Sequence, residues 1–64
     1  MVRLDVKEMR RRQLTQATIT VIARRGFART TLADVAKEAR VSYGVVSFYF
    51  GSKEELLLAT LRCL

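Results

Sequence analysis

Two short amphipathic segments joined by a tight turn occupy residues 31–50, and they constrain the fold of this chain more than any other feature. In the first segment, apolar residues recur at i, i+3, i+4 and i+7, the spacing of one helix face: Leu32, Val35, Ala36 and Ala39. Thr31 precedes this stripe as a candidate N-cap, and Asp34 gives an imperfect capping box. The second segment follows Ser42, another N-cap residue, and extends to Phe50. This layout is typical of a helix-turn-helix, and the plain alternative is an αα-hairpin inside a small helical bundle.

The composition limits the chain to one small helical domain. It has 64 residues, of which 50% are apolar, with one cysteine, three glycines and neither histidine nor proline. One cysteine cannot form an internal disulfide or, without histidine, a zinc site. The apolar content excludes a disordered tail, and no alternating run predicts a strand. We therefore expect an all-α domain over residues 1–64, a three-helix bundle plus the start of a fourth helix, without metal or cofactor.

Capping and breaking signals predict the bounds of the first three helices. The first is expected over Lys7–Arg25, and Gly26 should end it in a left-handed conformation. The second is expected over Leu32–Ala39 and the third over about Tyr43–Phe50. Gly51 then separates the third helix from the next.

The fourth helix is predicted to be apolar on more than one face. Ser52 and Glu55 have the spacing of a full capping box at its start. We expect Leu56, Ala59 and Leu61 to serve the core, whereas Leu57, Leu58 and Leu64 cannot all lie on the same side. A helix that is apolar on all sides is normally buried on all sides. We therefore expect more protein to follow residue 64.

The charge of the chain favours a polyanionic partner. The chain has twelve Lys and Arg residues and six Asp and Glu residues, which gives a net charge of +6. Such a balance suits nucleic acid or an anionic membrane surface, and the alternative is a solvated flank that keeps the domain soluble. No signal peptide or membrane-spanning segment is visible, so we predict a cytoplasmic, nucleoid-associated location without membrane contact. The second helix of so small a bihelical unit should protrude, and such a helix fits the major groove of DNA, about 12 Å wide.

A series of short motifs runs through most of the chain. After a basic helix come Gly26-Phe27, Thr30-Thr31, Val35-Ala36, Val41-Ser42, Gly44, Tyr49-Phe50 and the run SKEEL at residues 52–56. This order resembles the N-terminal DNA-binding domain of TetR-type transcriptional repressors, most specifically in VSYGVVSFYFGSKEEL at residues 41–56. The start RRRQLTQAT and the end of the third helix look most like the choline-responsive repressors of the betaine pathway.

The resemblance implies an effector-responsive repressor and no enzyme. Members of the family act as homodimers on double-stranded DNA with a palindromic operator. A larger C-terminal domain, absent from these 64 residues, forms the dimer and binds a small-molecule effector. Arg40 departs from the family, which commonly has glycine at a turn position that tends to need a left-handed backbone. Either arginine tolerates this at a cost of roughly 1 kcal/mol or the turn differs slightly, and the alternatives for its side chain are a phosphate contact and a solvated turn.

The resemblance also carries over to individual positions of the third helix and its neighbours. Tyr43, Gly44, Ser47 and Phe48 match the family's base readers, and Tyr43 and Phe48 can contact a thymine methyl. Thr31, with the free N–H groups of the second helix, suits a phosphate, and Tyr49 and Lys53 match the family's phosphate contacts. The complete set of predicted DNA contacts is Thr31, Ala33, Ser42, Tyr43, Gly44, Ser47, Phe48, Tyr49 and Lys53. A flexible arm carrying arginines 10–12 would add backbone or minor-groove contacts.

Each of these assignments has a plainer alternative. Phe48 and Tyr49 also suit the core, and Lys53 and the arginines also suit a solvated surface. For the whole chain, the main rival is a helical protein-interaction module whose basic arm serves solubility. A membrane-surface peptide is disfavoured, because the basic and leucine-rich parts lie at opposite ends.

Overall fold

A computed structural model of the chain describes residues 6–63, and the side chains of residues 6–62. This part forms four α-helices and no strand: α1 Val6–Arg25, α2 Leu32–Ala39, α3 Tyr43–Tyr49 and α4 Lys53–Cys63. A single 3₁₀ turn, Phe27–Arg29, connects α1 to α2, and the sequence pattern did not predict it. The all-α prediction is confirmed.

The helices share one apolar core. Helix α1 packs against α2 and α4, and α2 packs against α3. The largest fully buried side chains are Phe50, Leu14 and Leu56, joined by Val35 and Val46. Full burial of a side chain of this size stabilises a fold by about 1.5–3 kcal/mol. Because Phe50 immediately follows α3 and Val46 lies within it, this core fixes the orientation of α3.

The cap of α2 is more complete than predicted. The Thr31 hydroxyl accepts a hydrogen bond from the Asp34 N–H at 3.1 Å, and the Asp34 carboxylate accepts one from the Thr31 N–H at 3.1 Å. Both bonds of a capping box are therefore present, with aspartate in place of the usual glutamate. This reciprocal pair fixes where α2 begins.

The cap of α4 differs in one bond from the predicted box. The Ser52 hydroxyl accepts from the Glu55 N–H at 3.2 Å, as expected. The Glu55 carboxylate, however, accepts from the Gly51 N–H at 2.8 Å rather than from the N–H of Ser52. The longer glutamate side chain reaches one residue further back, so it also holds the turn between α3 and α4.

Among residues 6–63, two turn residues have positive φ. Gly26 ends α1 as predicted, and its N–H donates to the Ile22 carbonyl at 2.7 Å, but with φ 84° and ψ 155° it does not adopt the expected left-handed helical conformation. Arg40 has φ 61° and ψ 41°, the left-handed conformation expected of the turn position that it occupies. On α1, the Gln13 amide donates to the Ala39 carbonyl at 2.9 Å and so satisfies the end of α2 beside this turn.

On α4, one predicted core residue is wrong. Leu56 is buried and Ala59 packs against the core, but Leu61 is 54% exposed. Thr60 occupies the inward position, because it lies four residues after Leu56 on the same face. Its hydroxyl donates to the Leu56 carbonyl at 2.8 Å, which offsets the cost of burying the hydroxyl. Leu57 is half-buried and Leu58 exposed, while Leu64 lies outside the described residues.

Candidate nucleic-acid interface

Helix α3 has one anchored face and one open face. Val46 is fully buried, whereas Tyr43, Gly44, Ser47 and Phe48 are exposed. The exposed fractions of Tyr43 and Phe48 are 56% and 76%, which excludes the core alternative for Phe48. The four predicted base readers therefore share the surface of α3 that is available to a partner. Ser42, which precedes them, caps α3 by accepting from the Val45 N–H at 3.3 Å.

The aromatic pair at the end of α3 has a defined geometry. The rings of Phe48 and Tyr49 meet edge to face, with centroids 5.2 Å apart and planes at 89°. Tyr49 is half-buried and packs against the core. Part of its side chain therefore belongs to the core, and the rest remains accessible to a partner. Edge-to-face packing is a favoured arrangement of aromatic rings, so Tyr49 gives the otherwise exposed Phe48 ring one stabilising contact.

At the first turn of α2, the carboxylate of Asp34 already accepts a hydrogen bond from the Thr31 N–H. Hydrogen bonding to Thr31, more than the nearby Arg25, holds the pKa of Asp34 below its ordinary value. The Arg25 guanidinium lies 3.0 Å from the Asp34 carboxylate. The oxygen of the Thr31 hydroxyl and the N–H groups of Thr31 and Asp34 are thus engaged within the fold, and the hydroxyl hydrogen of Thr31 is left to donate to a phosphate. Ala33 is exposed beside them.

Lys53 is not the freely solvated lysine of the plain alternative. Its ammonium donates to the Phe27 carbonyl at 2.9 Å and lies 4.3 Å from the centroid of the Phe27 ring. The contact combines a charge-assisted hydrogen bond with a cation–π interaction. Because an ammonium has three N–H donors, Lys53 can keep this contact and still donate to a phosphate. Sequence reasoning missed the contact of Lys53 with Phe27, because 26 residues separate the two in the chain.

The arginines expected in a flexible arm lie in regular helix. Arginines 10–12 belong to α1, which begins at Val6, so the prediction of a flexible arm is wrong for these three residues. The Arg11 guanidinium stands 5.3 Å from the centroid of the Phe50 ring. A groove of about 510 Å³ opens beside it, lined by basic and acidic side chains and by Tyr49 and Phe50. Arg11 and Arg12 thus flank the end of α3 from within helix α1.

The described residues contain no arrangement suited to metal chemistry. Between Val6 and Cys63, no three His, Cys, Asp or Glu side chains are placed to hold a metal ion. In the same stretch, no helix has the length and apolar character required to cross a bilayer.

Comparison with known proteins agrees with this geometry. The model of the family "Bacterial regulatory proteins, tetR family" matches residues 14–60. The HTH-type transcriptional regulator BetI of Paraburkholderia xenovorans (strain LB400) is 52% identical over 62 residues, which cover 97% of this chain and 32% of that protein. The regulator of the same name from Burkholderia thailandensis is 50% identical over the same shares of both chains. The chain thus spans about a third of the length of these relatives. No solved structure matches it at a significant level.

The family match covers most of the chain and includes the capped turn, the open face of α3 and the start of α4. The names of these relatives include the helix-turn-helix, the motif that the sequence pattern predicted for this chain. The chain therefore belongs to the tetR family of bacterial regulatory proteins, as the helix-turn-helix DNA-binding domain of a transcriptional regulator and not as an enzyme.

Proposed function

We propose that this domain is the DNA-reading head of an effector-responsive repressor. In the whole protein, two heads would bind the half-sites of a palindromic operator as a homodimer, in the cytoplasm and at the nucleoid. A C-terminal domain beyond these residues would form the dimer and bind the small-molecule effector. The observation that carries the proposal is the open face of α3, where Tyr43 and Phe48 remain exposed on a helix fixed by the core.

The proposed interface divides into reading and positioning groups. Tyr43, Gly44, Ser47 and Phe48 would enter the major groove, with Ser42 and Ala33 at its margin. Three further residues, Thr31, Tyr49 and Lys53, would contact phosphates. Phosphate contacts fix the register of a protein on DNA, and base contacts select the sequence. The net charge of +6 supports a phosphate-rich partner.

The alternative is a protein-interaction module, because exposed aromatic residues also suit a protein partner. Salt distinguishes the two. Binding to phosphates releases counterions, so the logarithm of affinity falls with the logarithm of salt concentration by about 0.9 per neutralised phosphate on duplex DNA. An apolar protein interface lacks this steep dependence.

The test measures fluorescence anisotropy of labelled random-sequence duplexes with the 64-residue chain over a salt series. We expect a steep slope that becomes shallower by about one unit in Lys53→Ala, with weaker binding to all sequences alike. Lys37→Ala, which removes an exposed lysine on α2 outside the predicted contacts, is the control and should leave more of the slope intact. Salt-independent binding of the wild-type chain would favour the protein-interaction module. An unchanged slope in Lys53→Ala would remove Lys53 from the interface.

A further inference from the structure

The reading face of α3 lacks the side chains that most often distinguish bases. Helix α3 has the sequence YGVVSFY, without Arg, Lys, Asn, Gln, Asp or Glu. Bidentate hydrogen bonds from Arg or Lys to guanine, and from Asn or Gln to adenine, supply the commonest direct readout in the major groove. None of these can be made from α3. Its polar side-chain groups are the hydroxyls of Tyr43, Ser47 and Tyr49, which both donate and accept and therefore select poorly between bases.

The exposed face of α3 offers apolar surface instead. Phe48 is the most exposed large apolar residue among those described, at 76%, and Tyr43 follows on the same helix at 56%. Among the four bases, only thymine presents an apolar group in the major groove, its C5-methyl. The apolar surface of α3 therefore has one complementary feature on DNA. The methyl of Ala33, exposed at the start of α2, extends the same chemistry.

Phe48 is also held ready for such a contact. Its ring rests edge to face on Tyr49 at 5.2 Å, and Tyr49 packs against the core. A side chain that is already supported loses little conformational freedom on binding, so more of its contact energy appears as affinity. This support would hold the ring in the position where it meets the DNA.

We propose that the domain selects its operator through thymine methyl groups, with Phe48 and Tyr43 as the specificity-determining residues. The proposal rests on the proposed function, in which α3 lies in the major groove. The ligand of that site is then the major-groove edge of a pyrimidine base that carries a C5-methyl group. Because 5-methylcytosine carries its methyl at the equivalent position, the same face accepts a 5-methylcytosine·guanine pair better than an unmethylated one.

The experiment compares duplexes that differ only in these methyl groups. The 64-residue chain selects from a random duplex pool at low salt, and the thymines of the winning duplex are replaced one at a time by uracil, which lacks the methyl. We expect roughly fourfold weaker binding at each contacted thymine, the worth of one buried methyl, and no change at the others. Replacing a contacted thymine·adenine pair by cytosine·guanine should weaken binding, and 5-methylcytosine should restore part of it.

Protein variants identify which side chain reads the methyl. Phe48→Ala, with its fold checked by circular dichroism, should bind the selected duplex more weakly and lose its response to uracil at one position. Lys37→Ala, which lies outside the predicted contacts, is the control and should keep that response. Equal affinity for the thymine and uracil duplexes, with the salt slope intact, would overturn methyl reading and leave the proposed function standing. Failure to bind any duplex in a salt-dependent manner would overturn both.

Discussion

Gly44→Ala is expected to stabilise the free domain while weakening its binding to DNA. Gly44 lies in the first turn of α3 with helical backbone, and its φ is not positive. A Cβ added there meets only the Ser42 hydroxyl, at 3.8 Å, which is ordinary van der Waals contact. Alanine therefore fits without strain and restricts the unfolded chain, so the free energy of unfolding should rise by about 0.5–1 kcal/mol.

Bound to DNA, the same methyl group should be unfavourable. The proposed interface brings the start of α3 against the base edges, where glycine permits close approach of the backbone. One extra methyl in a tightly packed contact costs about 1–3 kcal/mol. That loss corresponds to roughly 5- to 150-fold weaker binding. Stability and affinity should thus change in opposite directions.

Urea unfolding and anisotropy titrations on the same protein preparation measure the two effects. Gly51→Ala is the control, because its added Cβ lies 3.3 Å from the Glu55 carboxylate and crowds the cap of α4. This control should bring no comparable gain in stability. If Gly44→Ala binds DNA as well as the wild type, the backbone of α3 does not approach the duplex there. If it is destabilised, the environment described for Gly44 is wrong.

Further substitutions test the fold and its pH dependence. Phe50→Ala should lower the free energy of unfolding by about 3–5 kcal/mol because Phe50 is buried, whereas Phe48→Ala should leave it nearly unchanged; thermal unfolding followed by circular dichroism compares the pair. Arg40→Gly should stabilise the domain by about 1 kcal/mol in urea unfolding by relieving the left-handed conformation, and a loss of stability would refute strain at this turn. Asp34 has a pKa held below 3.8 in the fold, so its contribution to stability is complete above that pH and is lost as the pH falls through the lowered value. Unfolding of Asp34→Asn between pH 2 and 7 should therefore show less acid sensitivity than the wild type, and equal sensitivity would show that Asp34 is not responsible.

Local patterns predicted the parts of the fold that depend on local physics. The bounds of α2 agree with the prediction, because the apolar stripe and the Thr31 cap are both encoded within ten residues. Helix α3 ends one residue early, because Phe50 adopts extended backbone to reach the core. The core prediction for Leu61 is wrong because apolarity alone does not decide the position, since a threonine that donates a hydrogen bond within its own helix can occupy the core.

The contacts that shape the candidate site depend on distant parts of the chain. Lys53 meets Phe27 across 26 residues, and the Arg11 guanidinium meets the Phe50 ring. Periodicity and capping describe neighbours along one helix, so they cannot show such pairs. The exposure of Phe48 follows from the packing of α3 against α2. Which exposed groups touch DNA stays a prediction, because the duplex decides it as much as the fold does.

The bond between Lys53 and Phe27 has a mechanical consequence. It joins the first residue of α4 to the turn that leads into α2. Helix α4 has 11 residues and is therefore about 16 Å long. If its first residue is the pivot, a tilt of about 10° displaces the far end by roughly 3 Å, from the same helical rise. A small rotation about Lys53 thus displaces the far end of α4 more than any other part of the helix. The exposed Leu58 and Leu61 move with it.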